Sequence, residues 1–310
     1  MKDDLLEELA KPDRLIKTQY EILNKRLGNG FLKGKSSLLF GPPGNAKSMF
    51  AINILVENIK NRMVGKHSQK IKYIPLEYRR TEHAMRGVGI FLNTWKAISK
   101  EPEDVQMLRE ILSTSEELGN FAKNLQGDML ENPSLGSVGS DGSLDMPRVD
   151  FDYMVDMVNR EAAENDMLII DPLTAIDQNK NSRDPRYEQE RQFVRACNVL
   201  ADHHDCHIMH LSHSGKRGKH NGKVVGLTMD DNAGAAAFSR FTQYIMILDL
   251  HDEKESNVYV GLGQYKTVTH SRTIKIVKTN FGPGSGSKLA IDFTPVGPQM
   301  EMFGSIQDES

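Results

Sequence analysis

Leu38-Leu39-Phe40-Gly41-Pro42-Pro43-Gly44-Asn45-Ala46-Lys47-Ser48-Met49 joins a short apolar run to a glycine turn and then to a helical pattern. Residues 41–48 match G-x-x-x-x-G-K-[ST] at every position but one, with Ala46 where the pattern has its second glycine. A loop of this kind between a strand and a helix turns its backbone N–H groups toward phosphate oxygens, helped by the helix N-terminus. Gly41, Pro42, Pro43, Gly44, Asn45, Ala46, Lys47, Ser48 and Met49 are therefore the expected nucleotide-binding residues. Lys47 is expected to reach the β- and γ-phosphates of ATP, and the Ser48 hydroxyl to ligate Mg²⁺. The methyl of Ala46 fits such a loop if its φ is negative. A chance glycine turn before a helix is the plain alternative, and the strand-then-helix context argues against it.

Outward from this loop the chain alternates short apolar runs with helical stretches. Tyr73-Ile74-Pro75-Leu76, Met167-Leu168-Ile169-Ile170, His207-Ile208-Met209 and Tyr244-Ile245-Met246-Ile247-Leu248 read as strands. Continuous apolar strands separated by helices imply an α/β fold, a mostly parallel central sheet flanked by helices on both faces. Val258–Leu262, Thr273–Val277 and Leu289–Phe293 follow without intervening helices and imply a hairpin-rich C-terminal edge. The expected organisation is an N-terminal helix and linker arm at 1–20, one domain at 21–296, and a C-terminal tail at 297–310. Within the domain, 96–148 reads as an insertion, helical to 132 and then glycine- and serine-rich. In the arm, Leu5, Leu6 and Leu9 form an apolar stripe that either packs on its own domain or docks on a neighbour.

The bulk numbers set limits. The chain has 310 residues, and its 39 basic and 42 acidic side chains nearly cancel to a formal charge of −3. A nucleic acid would thus be held by a local patch and not by a global positive field. No apolar run approaches the roughly 18–20 residues of a membrane span, and two cysteines are too few for a disulfide framework. With no apolar segment behind Met1, a cytoplasmic location is expected.

Two carboxylates complete the candidate chemistry. Asp171 ends the apolar run 167–170, where a carboxylate can hold Mg²⁺ together with Ser48. The residue after it is Pro172, so the catalytic base must lie elsewhere. Glu77 follows the strand at 73–76, on the side where a parallel sheet faces its ligand crevice, and can deprotonate an attacking water. Position alone favours a surface glutamate.

The segment Pro75-Leu76-Glu77-Tyr78 running into Glu82-His83-Ala84-Met85-Arg86 resembles the corresponding stretch of DnaB-type replicative helicases, which have a RecA-like P-loop ATPase core. Ile208-Met209-His210-Leu211-Ser212-His213 resembles their sensor strand, with His213 at the glutamine position. Lys278-Thr279-Asn280-Phe281-Gly282-Pro283 resembles their C-terminal Lys-x-Arg-x-Gly-Pro turn. The hexameric RepA-type plasmid helicases are closer, sharing a histidine at 213 and an arginine finger in the segment matching Ser239–Tyr244. The resemblance implies ATP hydrolysis with Mg²⁺, Glu77 as base, His213 as sensor, and a homo-oligomer, a hexamer, acting on single-stranded DNA. Asn280 cannot supply the charge that DnaB-type enzymes place there, which leaves Arg240 as the cation acting on the neighbouring subunit, with Lys278 second. Any primase or loader would be a separate chain.

Lys216, Arg217, Lys219 and Lys223 lie among glycines just past His213, with no acid between His210 and Met229. Flexible cations of this kind suit phosphate contacts without sequence readout, and their place beside the sensor strand favours DNA contact over a merely solvated loop. The histidines at 203–213 do not converge on a metal, because strand alternation sends His207 and His213 to one face and His210 to the other. The reading that competes with a helicase is a RecA-like regulator or recombination mediator that uses ATP without unwinding.

Overall fold

A computed structural model describes residues 14–138, 143–145, 147–214, 219–220, 223–224, 227–231 and 235–307. Among the described residues the α-helices are α1 (Glu21–Leu27), α2 (Lys47–Met63), α3 (Arg80–Leu92), α4 (Pro102–Thr114), α5 (Glu116–Asp128), α6 (Phe151–Ala162), α7 (Arg186–His204) and α8 (Ala235–Phe241). The main sheet has eight strands. They are β1 (Ser36–Gly41), β2 (Ile71–Pro75), β3 (Met167–Asp171), β4 (His207–His213), β5 (Tyr244–Gly261), β6 (Gln264–Thr279), β7 (Lys288–Phe293) and β8 (Met300–Ile306).

The parallel part runs β5-β1-β4-β3-β2, with Leu39 opposite Leu211 and Met246, and Tyr73 opposite Ile169. Alternation along these strands feeds two separate cores. Leu39, Tyr73, Ile169, Met209 and Leu211 pack with α2 and α5 on one face, while Leu38, Phe40, Ile170 and Ile208 pack with α6 and α7 on the other. Strands buried on both faces have few polar positions, which is why they read as near-continuous apolar runs. Loop, helix and acid motifs are thereby brought to one end of the sheet, the carboxyl ends of β1, β2, β3 and β4.

Several boundaries differ from the sequence expectation. The segment 297–310 is not simply a tail, because Met300–Ile306 is a sheet strand pairing with both β7 and β5. Nor is 1–20 wholly an arm: Leu15–Ile16 pairs with Phe31–Leu32, and Ile16 and Tyr20 are buried. The stripe at Leu5, Leu6 and Leu9 lies outside the described residues. Tyr244–Leu248 and Val258–Leu262, expected as separate strands, are the two halves of β5. Its middle is polar and exposed because it extends past the core, paired with β6.

The antiparallel part closes on itself, since β5 pairs with β6, β6 with β7, β7 with β8, and β8 returns to β5. Glycine is required where α1 ends. Gly28 has φ +90, and an added Cβ would lie 2.1 Å from the Phe281 carbonyl oxygen. Gly282 meets the same crossing from the other side, so the Gly282-Pro283 turn serves close packing against α1. Among the described residues no helix is long and apolar enough to cross a membrane.

Candidate active site

The loop between β1 and α2 is fixed to the neighbouring strand. Asn45 Nδ2 donates to Leu248 O at 3.2 Å, and a Cβ on Gly41 would stand 2.3 Å from that same oxygen. Gly44 has φ +82, as expected for the loop. Ala46 corrects the expectation of a negative φ: it lies at φ +71, ψ 26, in the left-handed region, immediately before Lys47. That conformation costs a non-glycine residue roughly 1–2 kcal/mol, and the loop's anchoring to β5 accompanies it.

Lys47 is buried, with 4% of its surface exposed. Its ammonium donates to Gly41 O at 2.8 Å and Pro42 O at 2.9 Å, and it meets His213 Nδ1 at 3.1 Å. Burial pulls its pKa down to about 8, against the opposing pull of Asp171 and Glu77. Because an ammonium can only donate, His213 Nδ1 is the acceptor, and the ring proton therefore sits on Nε2. That nitrogen lies 3.1 Å from Glu77 Oε1 and donates to it. Lys47, His213 and Glu77 thus form one directed chain of hydrogen bonds from the loop to the end of β2.

Asp171 lies beside this chain and is 4% exposed. Its carboxyl pKa is raised, chiefly by burial, while hydrogen bonds from Ser48 and Tyr73 act in the opposite sense. Tyr73 hydroxyl donates to Asp171 Oδ2. Sequence reading missed Tyr73; the only available signal was a hydroxyl-bearing residue in an otherwise apolar strand. A buried carboxylate contacted by hydroxyls, with a serine at its side, offers the hard oxygen donors that Mg²⁺ takes.

The remaining candidates lie elsewhere. Gln243 N donates to Ser36 O at the opposite end of β1 from Gly41, which puts Arg240, three residues earlier, away from its own chain's Lys47. Arg240 is exposed and lines a cavity of about 330 Å³ with Arg191, Arg195 and Phe241. Lys278 is committed locally: its ammonium donates to Ser239 O at 2.9 Å and Thr242 O at 2.7 Å, closing the end of α8. Of the basic loop, Lys216 and Arg217 lie outside the described residues. Lys219–His220 and Lys223–Val224 form a short antiparallel pair just past β4. His207 packs with Phe31 and Tyr244 and His210 with Phe193 and Phe238, on opposite faces of β4.

A family model described as an AAA domain matches residues 134–219, the part holding β3, α7 and β4. None of the curated proteins matches the chain. Among solved structures, the ATPase domain of the protein G40-P superposes with a TM-score of 0.60 at 17% identity, covering 93% of each chain. A KaiC-like protein from the hyperthermophilic archaeon Pyrococcus horikoshii OT3 gives 0.52 at 15% identity, covering 94% of this chain and 100% of the other. The fold of this chain is therefore the RecA-like α/β fold of these two structures.

Proposed function

We propose that the chain hydrolyses ATP and works as a ring-forming motor on single-stranded DNA, of the replicative helicase type. The observation that carries the reading is the Lys47–His213–Glu77 chain beside Asp171 and Ser48. It joins in one hydrogen-bonded network the groups that would serve as phosphate-binding cation, sensor and carboxylate base. An incoming γ-phosphate competes for the N–H donors that Lys47 gives to Gly41, Pro42 and His213. Ser48 and Asp171 would hold Mg²⁺, which supplies neutralisation of charge on the phosphate oxygens. Glu77, exposed on one side, takes the proton of the attacking water. His213 lies between Lys47 and Glu77 at the end of β4, and the lysines at 216–223 follow directly in the chain. A change at the γ-phosphate therefore has a short covalent route to the segment expected to meet DNA. Arg240 would act on the neighbouring subunit's nucleotide, because it lies far from its own.

The likeness to a KaiC-like protein favours a second reading, an ATPase that assembles and regulates without unwinding. The test measures ATP turnover with and without single-stranded DNA, strand displacement on a forked duplex, and mass in the presence of ATP. A hexamer with DNA-stimulated turnover and displacement is expected. Stimulated turnover without displacement would favour the second reading, and turnover indifferent to DNA would sink the motor.

A further inference from the structure

The turn that carries Glu77 is held from outside the sheet. β2 is the last of the parallel strands, and the chain after α5 runs along its open edge. Met129 bridges Tyr73 in the parallel sense, and Leu130 N donates to Tyr73 O at 3.0 Å. Lys72 Nζ donates to Gly127 O at 2.6 Å. Beyond the strand end this segment crosses over the turn. Ser134 Oγ donates to Leu76 O at 3.0 Å, and Asn132 Nδ2 donates to Tyr78 O at 3.1 Å. These are the carbonyls immediately before and after Glu77.

The two clamping side chains are also tied to each other. Ser134 N donates to Asn132 Oδ1 at 2.9 Å, and Ser134 Oγ lies 2.7 Å from the same oxygen. The single hydroxyl proton serves Leu76 O or Asn132 Oδ1 at any moment, and the backbone N–H keeps the asparagine oriented throughout. Asn132 is buried, with 4% of its surface exposed. Such an amide inside an insertion of helices needs partners, and all of those found here belong to the Glu77 turn or to Ser134.

Glu77 itself belongs to no helix or strand, and its side chain is 39% exposed. Its aim depends on the backbone at 76–78, which is bonded on one side by Leu76 N to Asp171 O at 2.7 Å and on the other by this clamp. A general base displaced by about 1 Å loses on the order of 10²-fold in rate. The geometry points to Asn132 and Ser134 as positioning residues for Glu77, an inference that rests on the proposed role of Glu77 as base. The insertion between α3 and α6, which carries no chemistry of its own in the sequence, thereby sets the aim of the base.

The test uses the full chain. Asn132→Ala and Ser134→Ala should lower kcat for ATP about ten- to a hundredfold, with KM and the affinity for a fluorescent ATP analogue within about twofold of the parent. Ser134→Thr, which keeps the hydroxyl, should recover most of the loss. A purely structural role would instead move thermal stability and nucleotide affinity together with kcat. Glu77→Gln is run alongside and should be nearly inactive; parental turnover in that variant would overturn the reading of the base itself. With Glu77→Gln inactive, unchanged kcat in both alanine variants, or a parallel loss of kcat and affinity, would overturn the clamp. If Asn132→Ala does not fold, Ser134→Ala and Ser134→Thr decide between them.

Discussion

The two ends of β1 treat charge in opposite ways. At the Gly41 end Lys47, Asp171 and Glu77 each have a partner within the chain: Lys47 on two carbonyls and His213, Asp171 on Tyr73 and Ser48, Glu77 on His213. At the Ser36 end Lys35 is paired with Asp202 and Lys278 closes α8, but Arg195 and Arg240 have no partner among the described residues. Burial explains the first end, since a charge removed from water must be bonded or neutralised. Exposure permits the second. A guanidinium left in solvent stays fully charged and can meet an anion brought by another molecule. One end satisfies its buried charges within a single chain, and the other leaves two guanidinium groups in solvent.

The largest expected effect tests that contrast directly. Lys47→Ala and Arg240→Ala should each cut turnover by about 10³-fold or more, yet for different reasons. Mixed together they should recover part of the activity, because some interfaces join an intact Lys47 to an intact Arg240. No recovery in assemblies shown by mass to contain both variants would mean the two ends do not complement each other across subunits.

A smaller effect distinguishes the two cations by their protons. Lys47 is held down to about 8 by burial, so above that pH much of it is neutral before a phosphate arrives. Phosphate favours the charged form and raises the pKa, so ATP binding takes up a proton near pH 9 and close to none near pH 7. Affinity accordingly weakens as pH rises through the Lys47 pKa. Calorimetry in buffers of different ionisation enthalpy would measure the uptake, which should vanish in Lys47→Ala and persist in Arg240→Ala. Equal uptake in both variants would remove Lys47 as its source.

The smallest effect concerns the loop backbone. Ala46→Gly relieves a left-handed φ but frees the unfolded chain, so stability should rise by no more than about 1 kcal/mol. Thermal unfolding of the two proteins compares them, and a clear loss of stability would contradict the left-handed assignment.

The legible parts of this molecule were local or periodic. Glycine, lysine and serine at fixed spacing mark the phosphate loop within eight residues. Asp171 and Glu77 stand where apolar strands end, and period two along 207–213 assigns its histidines to opposite faces. The conformation of Ala46 was not legible, because side-chain identity favours negative φ while tertiary contacts of the loop with Leu248 set the outcome. Asn132 and Ser134 were invisible for a related reason: their partners lie more than 50 residues away, and an Asn-Pro-Ser run reads the same in any turn. The length of β5 was hidden by the mostly polar stretch 249–256, since a strand extending beyond the core has no buried face to impose alternation.

The return of β8 to β5 has a consequence for how copies of this chain can meet. Open sheet edges invite another polypeptide to add a strand, the usual route to fibrils and swapped dimers. Here the antiparallel region ends by pairing with its own earlier strand, and Leu130 takes a backbone position along β2 on the far side. At these paired positions the backbone is already engaged and is not free for a neighbour to extend. Two copies meeting at these positions would do so through side chains, whose charged contacts loosen with salt, a reversible contact where strand addition would not be.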